Sequence, residues 1–412
     1  VNVEVLNTGS ELLLGHVVNT HLAYLGQSLF PLGLRIARQT TIPDGPSIRT
    51  ALLEAFSRCD ILIITGGLGP TTDDITREIT AELLGLRLEE NAEVVAMITR
   101  RLARRNIPFR DRMQRQAMVP AGATVLPNTN GTAPGLYLPP LLTASSSTPH
   151  LFLLPGPPRE LKPMFEDSAR PILREICGGL PDCECRTYHV VGMGESTVEE
   201  IIGLQLSERG DIEVGYCARP NEVDLRLIAS RAVLEEVERL VFAALGGHLV
   251  SKRGELIEEV VVHRLRELQK TLAVAESCTG GLLSHRITNI PGASKIFPEG
   301  FVTYANEAKV RALGVPAELI AAQGAVSEPV ARAMASGAME KAGADFGIGI
   351  TGLAGPSGGS SDKPVGTVFI ALAQRGGETL CQQESFPTDR ETFKQLATQS
   401  ALDMLRRAVF SL

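Results

Sequence analysis

Ile61-Leu62-Ile63-Ile64-Thr65-Gly66-Gly67-Leu68-Gly69-Pro70-Thr71-Thr72-Asp73-Asp74 decides how this chain folds. A run of aliphatic residues with no polar alternation is the pattern of a strand buried on both faces, as in a parallel sheet covered by helices on each side. Three glycines then end the strand, and a helix-period stretch follows. Such a turn lets backbone N–H groups and a helix N-terminus face an anion, which is how α/β sheets hold phosphates. The plainer reading is a tight turn with Asp73 or Asp74 as helix N-cap. The adjacent carboxylates Asp73 and Asp74, with Glu78 one helical turn on, favour a site, because carboxylates beside a phosphate cradle invite a bridging divalent cation.

Working outward, β-branched runs alternate with helix-period stretches through residues 1 to about 168. Strands are predicted at 3–8, 34–41, 60–65, 124–126 and 150–154, and helices at 18–30, 46–57, 73–84 and 91–105. This alternation implies a doubly wound, mostly parallel sheet. Residues 139–149, with Ser145, Ser146 and Ser147 between prolines, read as a flexible hairpin loop. Three loops follow strands of the same sheet: Gly9-Ser10-Glu11-Leu12-Leu13-Leu14-Gly15, residues 128–135, and Pro155-Gly156-Pro157-Pro158-Arg159-Glu160. Their tips are expected along one edge with the glycine turn. Arg100, Arg101, Arg104 and Arg105 read as a solvated helix face that could collect an anionic substrate.

From about 170 to 250 the texture changes to a small α+β module, with strands at 186–191, 212–217 and 223–230 and helices at 196–207 and 233–245. A third α/β segment opens with an amphipathic helix at 255–270, whose Ile257, Val261, Leu265 and Leu268 share a face. Strands follow at 271–275, 301–305, 346–351 and 365–373, and a long helix at 390–409. The boundaries expected are therefore 1–170, 171–250 and 251–412.

That division suits 412 residues, too many for one ordinary core. Apolar residues at 44% and charged residues at 21% exclude bulk disorder. A net charge of −7 and only 4% aromatics, with no Trp, argue against nucleic acid, which needs basic surface and stacking platforms. No Gly-x-x-Gly clamp flanked by basic residues occurs in the middle module, so RNA is not expected there either. No apolar run approaches the roughly 20 residues of a membrane span. The opening residues lack the pattern of a signal peptide. Seven Cys without paired CxxC spacing suit reduced thiols, so a cytoplasmic location is expected.

In the third segment a strand delivers Glu276-Ser277-Cys278-Thr279-Gly280-Gly281 into a sharp turn before a helix. A nucleophile can be exposed there, with the following N–H groups as oxyanion donors. Ser277 needs a base, since a hydroxyl at its free pKa is a poor nucleophile. Cys278 competes with it, because thiolates form readily at helix N-termini. His285 lies two helical turns away, roughly 12 Å, and reads as a surface histidine. Lys309 sits about one turn into the helix after the strand ending at Tyr304. If strands 271–275 and 300–305 are neighbours, a desolvated Lys309 could act on Ser277; the plainer reading is a solvated helix lysine. Thr351, Gly352 and the loop to Asp362 offer backbone donors for a phosphate, and Arg390 could add a charge-assisted pair.

The first glycine loop, the turn from Thr65 to Asp74 and Leu154-Pro155-Gly156-Pro157-Pro158 resemble the molybdopterin-binding-like domain of the CinA (competence/damage-inducible protein) family. Ala275 to Gly281, Gly300 to Tyr304 with Asn306-Glu307-Ala308-Lys309, Gly324-Ala325-Val326-Ser327, Ile350 to Pro356 and Lys363-Pro364-Val365-Gly366-Thr367 resemble its nicotinamide-nucleotide amidase domain. The resemblance covers essentially the whole chain in the family's order. It implies a KH-like middle module and a bifunctional enzyme of pyridine-nucleotide salvage. The C-terminal domain would convert nicotinamide mononucleotide to nicotinic acid mononucleotide by a Ser/Lys mechanism without a metal, and the N-terminal domain would hydrolyse ADP-ribose to AMP and ribose 5-phosphate.

Carried onto this sequence, the resemblance favours Ser277 over Cys278 as nucleophile and Lys309 as base, with Tyr304 in the catalytic set. Thr279, Gly280, Gly281, Thr351, Gly352 and Arg390 would bind substrate. In the N-terminal domain, Gly66, Gly67 and Gly69 would cradle phosphate, and Asp73, Asp74 and Glu11 would hold a divalent metal (Mg, Mn or Co), with K as a further ion. A homodimer is expected. Ser10 stands where the family usually has Thr or Asp, and His21 where Asn is common. Two rival roles are a protein-interaction component of competence or recombination and a molybdenum-cofactor binding protein.

Overall fold

The computed structural model describes the whole chain except residues 105, 109–110, 143–146, 179–182 and 412, and the side chains of 111 and 112. Arg105 and the serines 145 and 146 of the expected hairpin loop thus lie outside the described residues. The chain forms two compact units, Val1–Asp182 and Cys183–Leu412.

In the first unit a six-stranded sheet runs in the order Arg35–Ile42, Asn2–Thr8, Ile61–Thr65, His150–Leu154, Gly135–Leu138, Thr124–Leu126. The first four strands are mutually parallel and the last two pair antiparallel. The unbroken strand Ile61–Thr65 explains the double winding. Ile61 and Ile63 enter a core shared with Leu25, Leu29 and Leu161, whereas Leu62 and Ile64 enter the opposite core with Ile48, Leu52 and Ile98. Period-two alternation in a fully apolar strand feeds both faces, so helices must cover both. The expected strands and helices form within a few residues of their predicted bounds. Strand Gly135–Leu138, the short antiparallel pair Leu88–Glu90 and Met118–Pro120, and the helical stretch from Pro158 to Ile176 were not anticipated. These strands are three or four residues long, too short for a periodic signal.

The second unit holds a three-stranded antiparallel sheet ordered Glu213–Arg219, Glu222–Ala229, Glu184–Val191, and a five-stranded sheet ordered Glu299–Val302, Leu272–Glu276, Phe346–Gly352, Thr367–Gln374, Leu380–Ser385. In the larger sheet the first three strands are parallel and the last two antiparallel. Strand Leu272–Glu276, second in that order, is also buried on both faces. Leu272 and Val274 pack with helices Ile257–Glu267 and Arg390–Phe410, while Ala273 and Ala275 pack with helix Glu328–Ala342. The strand expected at 301–305 is Glu299–Val302, so Tyr304 lies beyond it, in the connection to helix Asn306–Leu313. Among the described residues no helix is long and apolar enough to cross a membrane.

Candidate functional site

In the larger sheet of the second unit, the tips of three parallel strands are stitched together just beyond their ladders. Ser277 N donates to Ile350 O at 3.0 Å, and Thr303 N donates to Glu276 O at 2.8 Å. Gly280 and Gly281 then take φ of 62° and 96°, successive left-handed conformations that side chains with a Cβ resist, and reverse the chain into helix Leu282–Thr288. Glu276 fixes this turn. Its fully buried carboxylate accepts from Gly281 N (3.0 Å), Leu283 N (3.1 Å), Ser284 N (2.8 Å) and Ser284 Oγ (2.7 Å). The sequence reading did not assign Glu276 a role; a carboxylate heading a glycine turn that leads into a helix was the available signal.

Ser277 and Lys309 meet inside this frame. Lys309, on helix Asn306–Leu313, is 1% exposed, and its Nζ lies 3.1 Å from Ser277 Oγ, 2.9 Å from Thr303 O and 3.2 Å from Tyr304 O. Two of those partners are carbonyl oxygens, which only accept. A neutral amine can give its two protons to them, leaving its lone pair for the Ser277 hydroxyl. Burial pushes the Lys309 ammonium below its ordinary value, with Cys278 and Glu307 acting in the opposite sense. Ser277 itself is 9% exposed.

Cys278 points the other way. It belongs to the apolar core with Val274 and Leu283, and burial pushes its thiol up to about 12, so no thiolate forms there near neutral pH. His285 is exposed and contacts Asn289, away from the Ser277–Lys309 pair. Tyr304 lends its carbonyl to Lys309 and its exposed ring to the surface, where its hydroxyl accepts from Arg390 at 2.7 Å. Arg390 also donates to Gly355 O at 2.9 Å, joining the start of the last helix to the Thr351–Pro356 loop. Thr351 is buried and bonds Ala325 O at 2.8 Å, so its hydroxyl holds a loop. Thr279 is fully buried, and its Oγ1 has no partner among the described residues. Lys394, which the sequence reading passed over, brings Nζ to 3.8 Å from where a Cβ on Gly280 would stand.

The first unit carries the second candidate, a cavity of about 470 Å³. The glycine turn and all three expected loops line it, through Gly9, Gly67, Gly131 and Gly156 among others. The topology explains the convergence. Strand Thr124–Leu126 runs in the same sense as His150–Leu154, being two antiparallel steps away, so the connections after both emerge at the edge where the parallel strands end. Gly66 and Gly67 have positive φ, and a Cβ on Gly66 would stand 2.6 Å from Thr8 O.

Glu11, Asp44, Asp73, Asp74 and Glu160 line the cavity against two guanidinium groups, Arg101 and Arg159. Asp74 accepts from Thr71 N at 3.0 Å and from the Thr71 hydroxyl, and Asp44 accepts from Ser10 N at 3.1 Å. Hydrogen bonds from Thr71 and from its own backbone N–H hold Asp73 below the usual carboxylate range. This hard oxygen set, with surplus negative charge, fits a divalent cation shared with a phosphate. Glu11, Asp73 and Asp74 nevertheless do not converge. Among the described residues, only His189, Glu222 and Asp224 place three such ligand atoms within 4.8 Å of one another. Arg101 donates to Thr129 O at 2.7 Å and to Asn130 O, so it braces a cavity loop instead of facing solvent alone. His21 is buried with Nδ1 3.1 Å from Thr65 Oγ1, and burial lowers its pKa.

The His189 cluster lies in the smaller module. Its Nδ1 sits 2.8 Å from Asp224 Oδ1 and 3.3 Å from Glu222 Oε1. Glu222 Oε2 accepts from Gln399 Nε2 at 2.7 Å, and Arg286 bonds both Gln399 Oε1 (2.7 Å) and Glu258 (2.8 Å). A polar chain thus runs from this sheet, through the last helix, to the helix that follows Ser277.

Comparisons with known proteins cover all three segments. The CinA C-terminal domain matches residues 254–409, the probable molybdopterin binding domain residues 4–175, and the damage-inducible protein CinA KH domain residues 185–244. A CinA-like protein of Akkermansia muciniphila is 46% identical over 98% of this chain and 96% of its own length. A putative competence-damage inducible protein of Symbiobacterium thermophilum is 43% identical over 98% of both chains. The crystal structure of the competence/damage inducible protein CihA from Agrobacterium tumefaciens is 39% identical over 37% of this chain and 95% of its own, with a TM-score of 0.36.

Proposed function

The chain belongs to the CinA family, and on that premise we propose that its C-terminal domain deamidates nicotinamide mononucleotide and its N-terminal domain hydrolyses ADP-ribose to AMP and ribose 5-phosphate. The observation that carries the first activity is Lys309 Nζ at 3.1 Å from Ser277 Oγ, with its other contacts to carbonyl oxygens. As Ser277 Oγ attacks the carboxamide carbon, its proton passes to the Lys309 lone pair. Gly280 and Gly281 use their N–H groups within the turn, so Cys278 N and Thr279 N are the donors left for the oxyanion. Collapse breaks the C–N bond, the Lys309 ammonium returns a proton, and ammonia departs. Water, deprotonated by the same amine, then releases nicotinic acid mononucleotide from the Ser277 ester. Arg390, beside Tyr304, supplies the charge for the substrate phosphate.

For the second activity the Gly66–Gly69 turn cradles the pyrophosphate, while Glu11, Asp73 and Asp74 would hold a divalent ion (Mg, Mn or Co). That ion, when bound, supplies Lewis-acid polarisation of the phosphoryl oxygens. The carboxylates orient it, and Arg101 braces the loop opposite. Incubating the full chain with each substrate separately and measuring ammonia and AMP tests both readings. Ammonia from nicotinamide mononucleotide without added metal, and AMP from ADP-ribose with it, are expected. Release of neither product rejects the enzymatic reading, and then a molybdopterin or protein-partner role is the one to pursue.

A further inference from the structure

Gln116 is 1% exposed, lies in the helical turn Arg115–Ala117, and forms part of the wall of the N-terminal cavity. Its amide is oriented by the glycine turn: Nε2 donates to Leu68 O at 3.4 Å. The reverse orientation would set two carbonyl oxygens against each other, so the oxygen is assigned by its surroundings. That places Oε1 without a hydrogen-bond partner among the described residues. A buried acceptor left unpaired is costly, which makes it an informative exception in a folded protein. Close by, Thr76 Oγ1 is likewise buried and unpartnered, and it lies against Gly67 of the same turn. Two orphan oxygens therefore flank the turn that would hold phosphate.

We propose that Gln116 is a specificity-determining residue of the N-terminal site, its Oε1 accepting a hydrogen bond from a ribose hydroxyl of a phosphorylated substrate. The inference rests on the ADP-ribose reading and sharpens it to a ribosyl phosphate. An amide oxygen whose nitrogen is already committed can only accept, so its partner must be a donor. Phosphate oxygens and carboxylates cannot serve. Gln116 touches the backbone of the turn itself, so the donor must sit within a few bonds of the phosphate. A ribose hydroxyl meets both conditions, and the amino group of a purine, on the far side of its sugar, does not. A site built around such an acceptor rejects analogues lacking the donor, because the acceptor is then left buried and unpaired.

Equilibrium binding to the full chain in magnesium buffer tests this, with two probes: ribose 5-phosphate and tetrahydrofurfuryl phosphate, which keeps ring and phosphate but has no hydroxyl. The wild-type chain should prefer ribose 5-phosphate by at least about tenfold. Gln116→Leu should weaken ribose 5-phosphate about tenfold and leave tetrahydrofurfuryl phosphate within about twofold. Equal losses for both probes would mean that Gln116 only supports the turn and would overturn the proposal; so would a wild-type chain that binds neither probe or does not distinguish them. Gln116→Met, closer in shape, repeats the measurement if the leucine variant is misfolded by circular dichroism. If both variants misfold, the wild-type preference decides. ADP-ribose turnover measured in parallel separates the two layers. Discrimination at Gln116 without AMP release keeps this inference and removes the hydrolase reading, whereas AMP release without discrimination does the reverse.

Discussion

The two candidate sites sit at the same place in two similar sheets, just past the carboxyl ends of parallel strands, yet they are built in opposite ways. The Ser277–Lys309 pair is small, nearly dry and closed by the protein's own hydrogen bonds, with Glu276 accepting four of them. The N-terminal cavity is a wider rim of five carboxylates and several loops, whose candidate metal ligands do not converge within 4.8 Å. The contrast follows from the chemistry. For a lysine to activate a hydroxyl, its amine must be desolvated and held at hydrogen-bond distance, so the protein must supply the whole geometry. A metal-assisted phosphoryl site can leave part of its geometry to ion and substrate.

Ser277→Ala gives the largest effect. It should lower deamidation by about 1,000-fold or more, since nucleophile and base act as one unit, and leave ADP-ribose hydrolysis within about twofold. Cys278→Ala, which alters only the core beneath the turn, should keep most of the deamidase activity. A silent Cys278→Ala beside an active Ser277→Ala would hand the chemistry to the thiol, and loss of both reactions in a folded Ser277→Ala would break the two-site comparison.

Lys309→Ala comes next, at about 100-fold or more, and Lys309→Arg should not restore the rate, because guanidinium remains protonated. In the wild-type chain kcat/KM for deamidation should rise with pH through the Lys309 ionisation. Burial lowers that ionisation, so the limb should lie below the ordinary value of 10.5. A flat profile, or a functional arginine variant, would reduce Lys309 to a phosphate-binding cation.

A smaller loss is expected on the other side of the comparison. Asp74→Ala should lower ADP-ribose hydrolysis at limiting metal by about tenfold or more, and chelation should stop the wild-type reaction while deamidation continues. Chelator-resistant AMP release would show that the carboxylate rim serves a purpose other than metal binding.

The smallest effect concerns stability. Burial disfavours the His189 cation, but hydrogen bonds and charge from Glu222 and Asp224 outweigh it and raise its pKa above 6.5. Stability from this ion-paired group is therefore full below about pH 6.5 and is lost as pH rises through the higher folded value. His189→Gln should lower Tm by about 2 °C or more beyond its pH 9 effect when measured at pH 5.5. An equal drop at both values would mean that the imidazole contributes packing alone.

Much of the architecture is legible in the sequence. The apolar strand Ile61–Thr65 implied cover on both faces, and its residues alternate between two cores. The glycine turns were readable because few residues other than glycine tolerate φ near 60–100°. Less legible were strand Gly135–Leu138 and the helix starting at Pro158, where short length and proline blur the period. Arg101 read as a solvated charge because its partners, Thr129 O and Asn130 O, lie 28 and 29 residues away.

The order of segments, the strands that end in glycine, and the residue types able to act as nucleophile, base and metal ligand are all written along the chain. These are local properties, written in composition and spacing. It takes the packed fold to bring Lys309 to Ser277 from 32 residues away, to turn Cys278 into the core beside it, and to leave Gln116, on a cavity wall, with an unpartnered acceptor. Burial and hydrogen-bond partners are set by neighbours distant in the chain. The same lysine is a solvated surface charge on one packing and a desolvated base on another.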